Sequence, residues 1–177
     1  MNWMQKDVQT SAQMEIAWQC APVLTGVKPS NILTLKNVSE KEVAESLKEM
    51  GISYSMLCDS GVRKVWLIYR EEEILEILGK KEYSEFLDTL GYRGFEFPQM
   101  LQIMNLRFEG YQHGSAEFPH ELGIFLGYPL ADVKGFIEHN GKDFLYQGYW
   151  KVYENVEERK KMFSIYLSLI HISEPTR

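Results

Sequence analysis

The most conspicuous pair of reactive side chains in the sequence is His120 and Glu121, adjacent in the stretch FPHELGIFLGYP (residues 118–129). An imidazole beside a carboxylate could transfer protons or bind a metal ion. A zinc-protease pattern requires a second histidine four residues after the first, but position 124 is isoleucine. Adjacent residues of a helix point about 100° apart, whereas a glutamate in the first turn suits the helix dipole. The pattern therefore favours a helix start and predicts no metal site.

Cys20 is the second candidate for chemistry. It lies beside Pro22 and ahead of Lys28, an arrangement that could hold a thiolate near a cation. Paired with a histidine, such a thiol would make a cysteine-dependent enzyme, which requires a lowered pKa and an imidazole within hydrogen-bond reach. A lone cysteine at a helix end is more often a small buried hydrophobe. Cys20, His120 and Glu121 are therefore weak catalytic candidates without a defined reaction.

A helix-turn-helix through residues 120–138 is another interpretation of the same region. Gly127 supplies a turn between apolar positions at helical spacing. The second helix, however, carries Asp132 and Glu138 against the single Lys134, and DNA phosphates would repel it. We therefore expect an architectural corner, with a DNA-binding regulator as the weaker alternative.

Composition limits the classes of partner and cofactor. The 177 residues carry a formal net charge of -6, and the isoelectric point is near 5.3. Nucleic acids and anionic membranes bind clustered Lys and Arg, so neither is an expected partner. No GxxxxGK[ST] loop and no GxGxxG motif after a strand occurs. The sequence therefore identifies no cofactor.

The cellular location expected from the sequence is the cytoplasm. The chain starts without the basic region and apolar run of a secretory signal, and no apolar stretch approaches the ~20 residues that cross a bilayer. Cys20 and Cys58 are too few for a disulfide scaffold and are expected to be reduced thiols.

The last stretch of the sequence, LSLIHISEPTR (residues 167–177), matches the translation of a transposon-end adapter used in sequencing libraries. We therefore expect a single globular domain over residues 1–166, truncated at its native C-terminus, and treat residues 167–177 as non-native. His171 is then no candidate for function.

Hydrophobic periodicity predicts the elements that position these residues. A helix over 8–20 is expected to end before Pro22, and a buried strand is expected over 31–37. A helix follows with a Ser39 and Glu42 capping box. Two strands then flank an Asp59-Ser60-Gly61 turn, and this order predicts a small, mainly antiparallel sheet with helices packed on it.

The second half of the chain is predicted to be helical with one late strand. Helical segments begin at Glu71, and Pro98 opens a further helix. Two short helices, an aromatic-rich strand over 144–153 and a final helix complete an α+β fold. The aromatic residues of the late strand could stack a flat ligand, although such residues are more typical of core pairs.

Four ordered motifs carry a family resemblance: CAPVLTGVKPSNILTL, VWLIYR, FPHELGIFLGYPLADVKGFI and GYWKVY. Together they resemble the uncharacterised bacterial family called domain of unknown function 3793, common in Gram-positive anaerobes, from about Cys20 to Tyr166. The resemblance implies a cytoplasmic single-domain protein, and it assigns no activity, substrate or catalytic residue. We therefore expect an accessory protein that binds an unidentified small molecule or protein partner. Lys28, Arg70, Trp150 and Lys151 are its candidate binding residues.

Overall fold

The computed structural model describes residues 3–48 and 50–173, with side chains from residue 13 to residue 169 apart from residue 49. Residues 174–177 of the expected adapter segment lie outside this description. The elements follow in the order α1 Trp3–Leu24, β1 Ser30–Lys36, α2 Glu40–Lys48, β2 Ser53–Asp59, β3 Arg63–Tyr69, α3 Glu71–Leu78, α4 Lys81–Thr89, α5 Phe97–Gln112, α6 Leu122–Phe125, α7 Leu130–Glu138, β4 Tyr146–Gln147, β5 Lys151–Val152 and α8 Val156–Ser173.

The main sheet is antiparallel with the strand order β1-β3-β2. Its β2–β3 hairpin closes where the backbone N–H of Gly61 donates to Asp59 Oδ1 at 2.7 Å, and Gly61 has a φ of +82° that favours glycine. A bulge between Met56 and Cys58 interrupts the register. The predicted antiparallel sheet and the α+β class are confirmed.

Strand β3 separates the two largest hydrophobic cores. Successive side chains of a strand point to opposite faces, so Trp66 and Ile68 pack with α1 and α2, while Val65 and Leu67 pack with the helices of the second half. Because both faces are covered, β3 consists of a nearly continuous apolar run.

Helix α2 follows its sequence signals closely. The backbone N–H of Ser39 donates to the Glu42 carboxylate at 2.7 Å, and the backbone N–H of Glu42 donates to the Ser39 hydroxyl at 3.2 Å. This reciprocal pair is the predicted capping box. Val43 and Leu47 are buried against the sheet, so the amphipathic pattern fixes the orientation of the helix.

Helix α1 extends further than predicted. Pro22 lies inside the helix, which continues to Leu24. A proline removes one backbone donor and disturbs the preceding turn, but Pro22 falls in the last turn, where its own carbonyl accepts the N–H groups of Val27 and Lys28 at 2.9 and 2.8 Å. The expectation that the helix ends before Pro22 is therefore wrong by one turn.

The predicted late strand is a short hairpin. Strands β4 and β5 pair antiparallel, Tyr146 with Val152 and Gln147 with Lys151. The chain reverses at Gly148, where a Cβ atom would lie 2.3 Å from the ring of Phe163 in α8. Only a residue without a side chain permits this approach, so the aromatic run turns back on itself. The hairpin closes a third, smaller hydrophobic cluster with α8.

The helices of the described residues were compared with the length and apolarity that a membrane span requires. Within residues 3–48 and 50–173, none is both long and apolar enough to span a bilayer.

Candidate functional site

A pocket of about 350 Å³ opens between α6, α7 and the β4–β5 hairpin. Five aromatic side chains line it, from the loop before α6, the turn before α7, α7 itself and the hairpin. These aromatic residues are Phe118, Tyr128, Phe136, Tyr149 and Trp150. Ligand pockets are commonly apolar concavities with a few polar groups, and this lining has that character.

Asp132 holds the pocket's hairpin wall in place. The residue is 2% exposed, and its carboxylate accepts hydrogen bonds from Trp150 Nε1 at 2.8 Å and from the backbone N–H groups of Tyr153 at 2.7 Å and Glu154 at 3.2 Å. Arg159 Nε of α8 lies 3.6 Å from the same carboxylate. The buried charge is therefore compensated, and it joins α7, the hairpin and α8.

Trp150 is fixed by ring contacts as well. Its indole stacks on Tyr128 with centroids 4.4 Å apart and planes 24° apart, and it meets the Phe163 ring edge to face at 4.6 Å. Such pairs stabilise beyond their buried area. Trp150 thus forms a rigid surface of the pocket.

His120 also lines the pocket and is half-buried. Its ring lies 5.5 Å from the Phe118 ring and 5.2 Å from the Phe136 ring, measured between centroids. Among the residues that the structure describes, neither ring nitrogen has a hydrogen-bond partner. An imidazole always offers at least one N–H donor, so His120 can donate to a molecule in the pocket.

Lys151 places a positive charge at the pocket. Its ammonium donates to the Gly141 carbonyl at 2.6 Å and lies 5.5 Å and 5.0 Å from the ring centroids of Phe136 and Phe144. In the described part of the chain, no carboxylate lies within 4.0 Å of this ammonium. The charge is therefore held by a carbonyl and two rings, without an acidic partner.

Tyr149 contributes an unsatisfied hydroxyl. The oxygen is buried and finds no hydrogen-bond partner among the described residues, and burial raises the pKa of the Tyr149 phenol. A buried hydroxyl without a partner is costly. The pocket therefore combines an apolar lining with polar groups whose bonding capacity is unused.

The family model described as Protein of unknown function (DUF3793) matches residues 16–171, a range that includes every residue of the pocket. The chain belongs to this family. Membership confirms the resemblance carried by the four sequence motifs. Searches of curated proteins and of solved structures give no match.

Glu121 of this DUF3793 protein points away from the pocket that His120 lines. It is 5% exposed, and its Oε1 accepts hydrogen bonds from the Arg107 guanidinium and, at 3.1 Å, from the Tyr92 hydroxyl. Arg107 also donates to the Leu90 carbonyl at 2.7 Å. Glu121 directly precedes α6 without a side-chain cap, so its carboxylate pairs with α5 instead of capping α6.

The structure gives Cys20 the opposite of the environment that a thiol enzyme requires. Cys20 is 0% exposed, and burial raises the pKa of its thiol to about 12. It does not line the pocket, and none of its contacts in the described chain is a hydrogen bond to an imidazole. The DUF3793 chain therefore does not present Cys20 as a thiolate nucleophile.

Lys28 is buried between α1 and β1 rather than presented for binding. It is 4% exposed, and its ammonium donates to Asn31 Oδ1 at 2.9 Å. Burial lowers the pKa of Lys28 to about 8. Its ammonium lies 5.6 Å from the ring centroid of Tyr128, so it sits behind one wall of the pocket.

Arg70 closes the C-terminal end of α1. Its Nε donates to the Val23 carbonyl at 2.7 Å and its Nη2 to the Leu24 carbonyl at 3.0 Å. A cation at the last carbonyls of a helix is stabilised by the dipole. Glu73 Oε1 lies 3.7 Å from Arg70 Nε, so the guanidinium joins α1 to α3 and serves the fold.

The helix-turn-helix interpretation requires correction. Helix α6 has only four residues, Leu122–Phe125, so a single turn stands where the pattern predicts a first helix. Helix α7 buries Asp132, Val133 and Gly135, and the groove beside its exposed face is bordered by four acidic residues, Glu82, Glu138, Asp143 and Glu154. The geometry is that of an architectural corner.

The described residues contain no cluster of side chains that could bind a metal ion. In residues 3–48 and 50–173 of the DUF3793 chain, no three His, Cys, Asp or Glu side chains group so as to hold an ion.

Of the sequence-predicted site residues, the structure brings His120, Trp150 and Lys151 to one pocket and places Cys20, Lys28, Arg70 and Glu121 elsewhere. Sequence reasoning missed Asp132, whose signal was a carboxylate between the apolar residues Leu130 and Val133 of a short helix. A charge on a buried helix face requires a partner, and here the partners are indole and backbone donors.

Proposed function

We propose that this protein is a binding protein whose small-molecule ligand occupies the pocket between α6, α7 and the β4–β5 hairpin. The observation that carries the proposal is the convergence of His120, Trp150 and Lys151 on one aromatic-lined cavity. These three side chains come from a loop, a turn and a strand, and Asp132 fixes the hairpin that bears two of them. A rigid apolar cavity with a few placed polar groups is the usual form of a ligand site.

Unused bonding capacity supports a ligand rather than a filled core. The buried Tyr149 hydroxyl has no partner in the described part of the protein, and protein interiors rarely leave such a group unpaired. The ring nitrogens of the half-buried His120 make no hydrogen bond to a described residue and lie beside the Phe118 and Phe136 rings. The volume of about 350 Å³ lies near the lower end of the range of about 300–1,000 Å³ for ligand pockets. The proposed ligand is therefore small.

The two alternatives draw less support from the structure. A thiol enzyme would place a reactive cysteine in the cavity, yet Cys20 is buried outside it with a raised pKa. A DNA-binding regulator would expose a positive helix, whereas the groove along α7 has four acidic residues against the two basic residues Lys134 and Arg159.

We further infer a cytoplasmic protein with a single domain over residues 1–166. Free Cys20 and Cys58 support a reducing compartment. Tyr128 packs against both the core that contains Val65 and Leu67 and the third hydrophobic cluster, which supports one domain. Cell fractionation checks the location. Limited proteolysis that releases two separately stable fragments would contradict the single domain.

The test of the binding proposal uses the indole N–H resonances of the tryptophans in nitrogen-15 correlation spectra. Trp150 lines the pocket, with its Nε1 bonded to Asp132, whereas Trp66 is fully buried in the core with α1 and α2. We expect a library of small aromatic fragments to contain members that shift the Trp150 signal in a saturable manner. Trp66, the internal control, should remain unchanged. Trp150→Phe assigns the signal by removing it.

Two results would overturn the proposal. One is a library in which no fragment shifts Trp150. The other is a set of fragments that shift Trp150 and Trp66 together, because a shift at both indoles reports a change of the whole fold instead of pocket occupancy.

A further inference from the structure

We propose that the ligand is a planar aromatic molecule with a single negative charge, such as an aromatic carboxylate, and that its charged group lies between His120 and Lys151. This inference rests on the proposed function and adds the chemical class of the ligand. It follows from the unequal distribution of donors, acceptors and charge around the pocket.

The two groups proposed to bind the negative charge, the His120 imidazole and the Lys151 ammonium, both lie near the ring of Phe136. The His120 ring centroid lies 5.2 Å from the Phe136 centroid, and the Lys151 ammonium lies 5.5 Å from the same centroid. An imidazole N–H and an ammonium that lie beside the same ring are both available as donors to the oxygens of a single carboxylate. Another part of the lining is the Tyr128–Trp150 stack, which suits a flat ring.

The charge of Lys151 is not balanced by the protein around it. Its ammonium uses one of three donors on the Gly141 carbonyl and faces the rings of Phe136 and Phe144. Across the described residues, no acidic group pairs with it. A partly desolvated cation without a counter-charge favours an anionic ligand, because the ligand supplies the missing charge.

The acidic group of the pocket is not free to bind a cation. Both oxygens of Asp132 accept hydrogen bonds from Trp150, Tyr153 and Glu154, and the Arg159 guanidinium is 3.6 Å away. Aromatic walls alone can attract a cationic ligand, but such a ligand would face Lys151. The balance of the described groups therefore favours a negative charge.

Calorimetric titration with three probes of equal ring size tests the inference on the unmodified protein. The probes are β-naphthoate, β-naphthol and β-naphthylmethylamine, which are anionic, neutral and cationic at pH 7. We expect β-naphthoate to bind at least about tenfold more tightly than β-naphthol, because a charge-assisted hydrogen bond replaces a neutral one. The amine is expected to bind most weakly.

Matched lysine variants assign the preference to the proposed end of the pocket. Lys151→Met keeps the apolar stem and removes the charge, and it should lower β-naphthoate affinity about tenfold. Lys134→Met is the control, since Lys134 also lies over a phenylalanine ring, 5.4 Å from the centroid of Phe86, but does not line this pocket. It should leave the affinity unchanged.

The remaining outcomes separate this inference from the proposed function. Equal binding of β-naphthoate and β-naphthol, or a preference for the amine, overturns the anionic class and leaves the binding proposal standing. A preference for β-naphthoate that survives Lys151→Met overturns the placement of the charge. If no naphthalene probe binds while other fragments shift Trp150, the inference fails alone; if nothing binds, both fail.

Discussion

The carboxylate of Glu121 is enclosed by the Arg107 guanidinium and the Tyr92 hydroxyl, while its neighbour His120 faces the pocket. One carboxylate thereby links α5 to the segment that begins α6. Removing one partner of such a pair leaves the other charge poorly solvated. The Arg107 side chain is 38% exposed, so water offsets part of that cost.

We expect Glu121→Gln to lower the free energy of unfolding by about 2–3 kcal/mol, somewhat less than the loss of a fully buried ion pair. Urea unfolding measures the change. Glu117→Gln is the matched control, because Glu117 is exposed and surface changes usually fall within about 0.5 kcal/mol. Equal effects of the two substitutions would show that the Arg107 pair contributes nothing specific.

Lys28 makes the stability of the protein depend on pH. Burial lowers the pKa of Lys28 from 10.5 to about 8 in the folded state. Between those values the unfolded chain holds a proton that the folded chain lacks, so rising pH favours folding. The Cys20 pKa is raised from 9.0 to about 12. Above pH 9 the folded chain therefore retains a proton that the unfolded chain loses, and this opposes the gain.

The expected result is a rise of about 0.5–1 kcal/mol in the free energy of unfolding from pH 8 to pH 9. Urea unfolding at the two pH values measures it. In Lys28→Met the rise should disappear, while Lys36→Met, which changes an exposed lysine, should retain it. A fall in stability over this interval in the unmodified protein would contradict the assignment to Lys28.

The sequence predicts the role of a polar side chain when its hydrogen-bond partner lies only a few residues away in the chain. The Ser39 and Glu42 capping box is local and was predicted fully. The partners of Asp132 and Glu121 lie more than a dozen residues away, and no spacing rule connects them. The charged residue types that mark a binding site also serve the fold: Lys28 donates to the Asn31 side chain, and Arg70 donates to the last carbonyls of α1.

At the scale of helices and strands, the shape of the pocket depends on how closely α7 packs against the β4–β5 hairpin and the residues that follow it. Gly135 of α7 lies against Tyr153, whose backbone N–H is bonded to Asp132. A Cβ atom on Gly135 would come 2.5 Å from Tyr153 Cγ. The glycine therefore sets the distance between this helix and the chain after β5.

We expect Gly135→Ala to destabilise the protein by about 1–3 kcal/mol through overpacking, although alanine has the higher helix propensity. Thermal unfolding provides the measurement. In the control Gly110→Ala, the nearest atom to the added Cβ is Ala116 Cβ at 3.3 Å, so little loss is expected. A Gly135→Ala variant as stable as the control would show that α7 can move away without cost.

Most elements are predictable because their signals are local, and two of the errors have clear physical causes. Pro22 lies in the last turn of α1, and its carbonyl accepts the N–H groups of Val27 and Lys28, so the helix continues past it to Leu24. The late strand divides at Gly148 because α8 brings Phe163 against the backbone there. Both outcomes depend on tertiary neighbours that a one-dimensional pattern does not contain.

At the scale of the whole molecule, β3 is the centre of the structure. It pairs with β1 and β2 on its two edges and separates the two largest cores. Opening its amides to solvent therefore requires loss of both cores, whereas β4 and β5 belong to the smaller cluster.

Native-state hydrogen exchange should consequently find the slowest amides in β3, at the free energy of global unfolding, and faster amides in β4 and β5. Mass spectrometry of peptic fragments resolves the two regions. Equal protection of β3 and the hairpin would mean that the third cluster unfolds together with the other two. Faster exchange in β3 would contradict its central position.

The ring of Tyr128 stacks on Trp150 on one side and lies 5.6 Å from the Lys28 ammonium. These neighbours are more than a hundred residues apart in the chain. Swapping either half of this protein for that of a distant relative would therefore leave the shared ring with a mismatched neighbour. The residues that line the cavity all lie between Phe118 and Lys151, so a chimera is expected to disturb its shape through Tyr128.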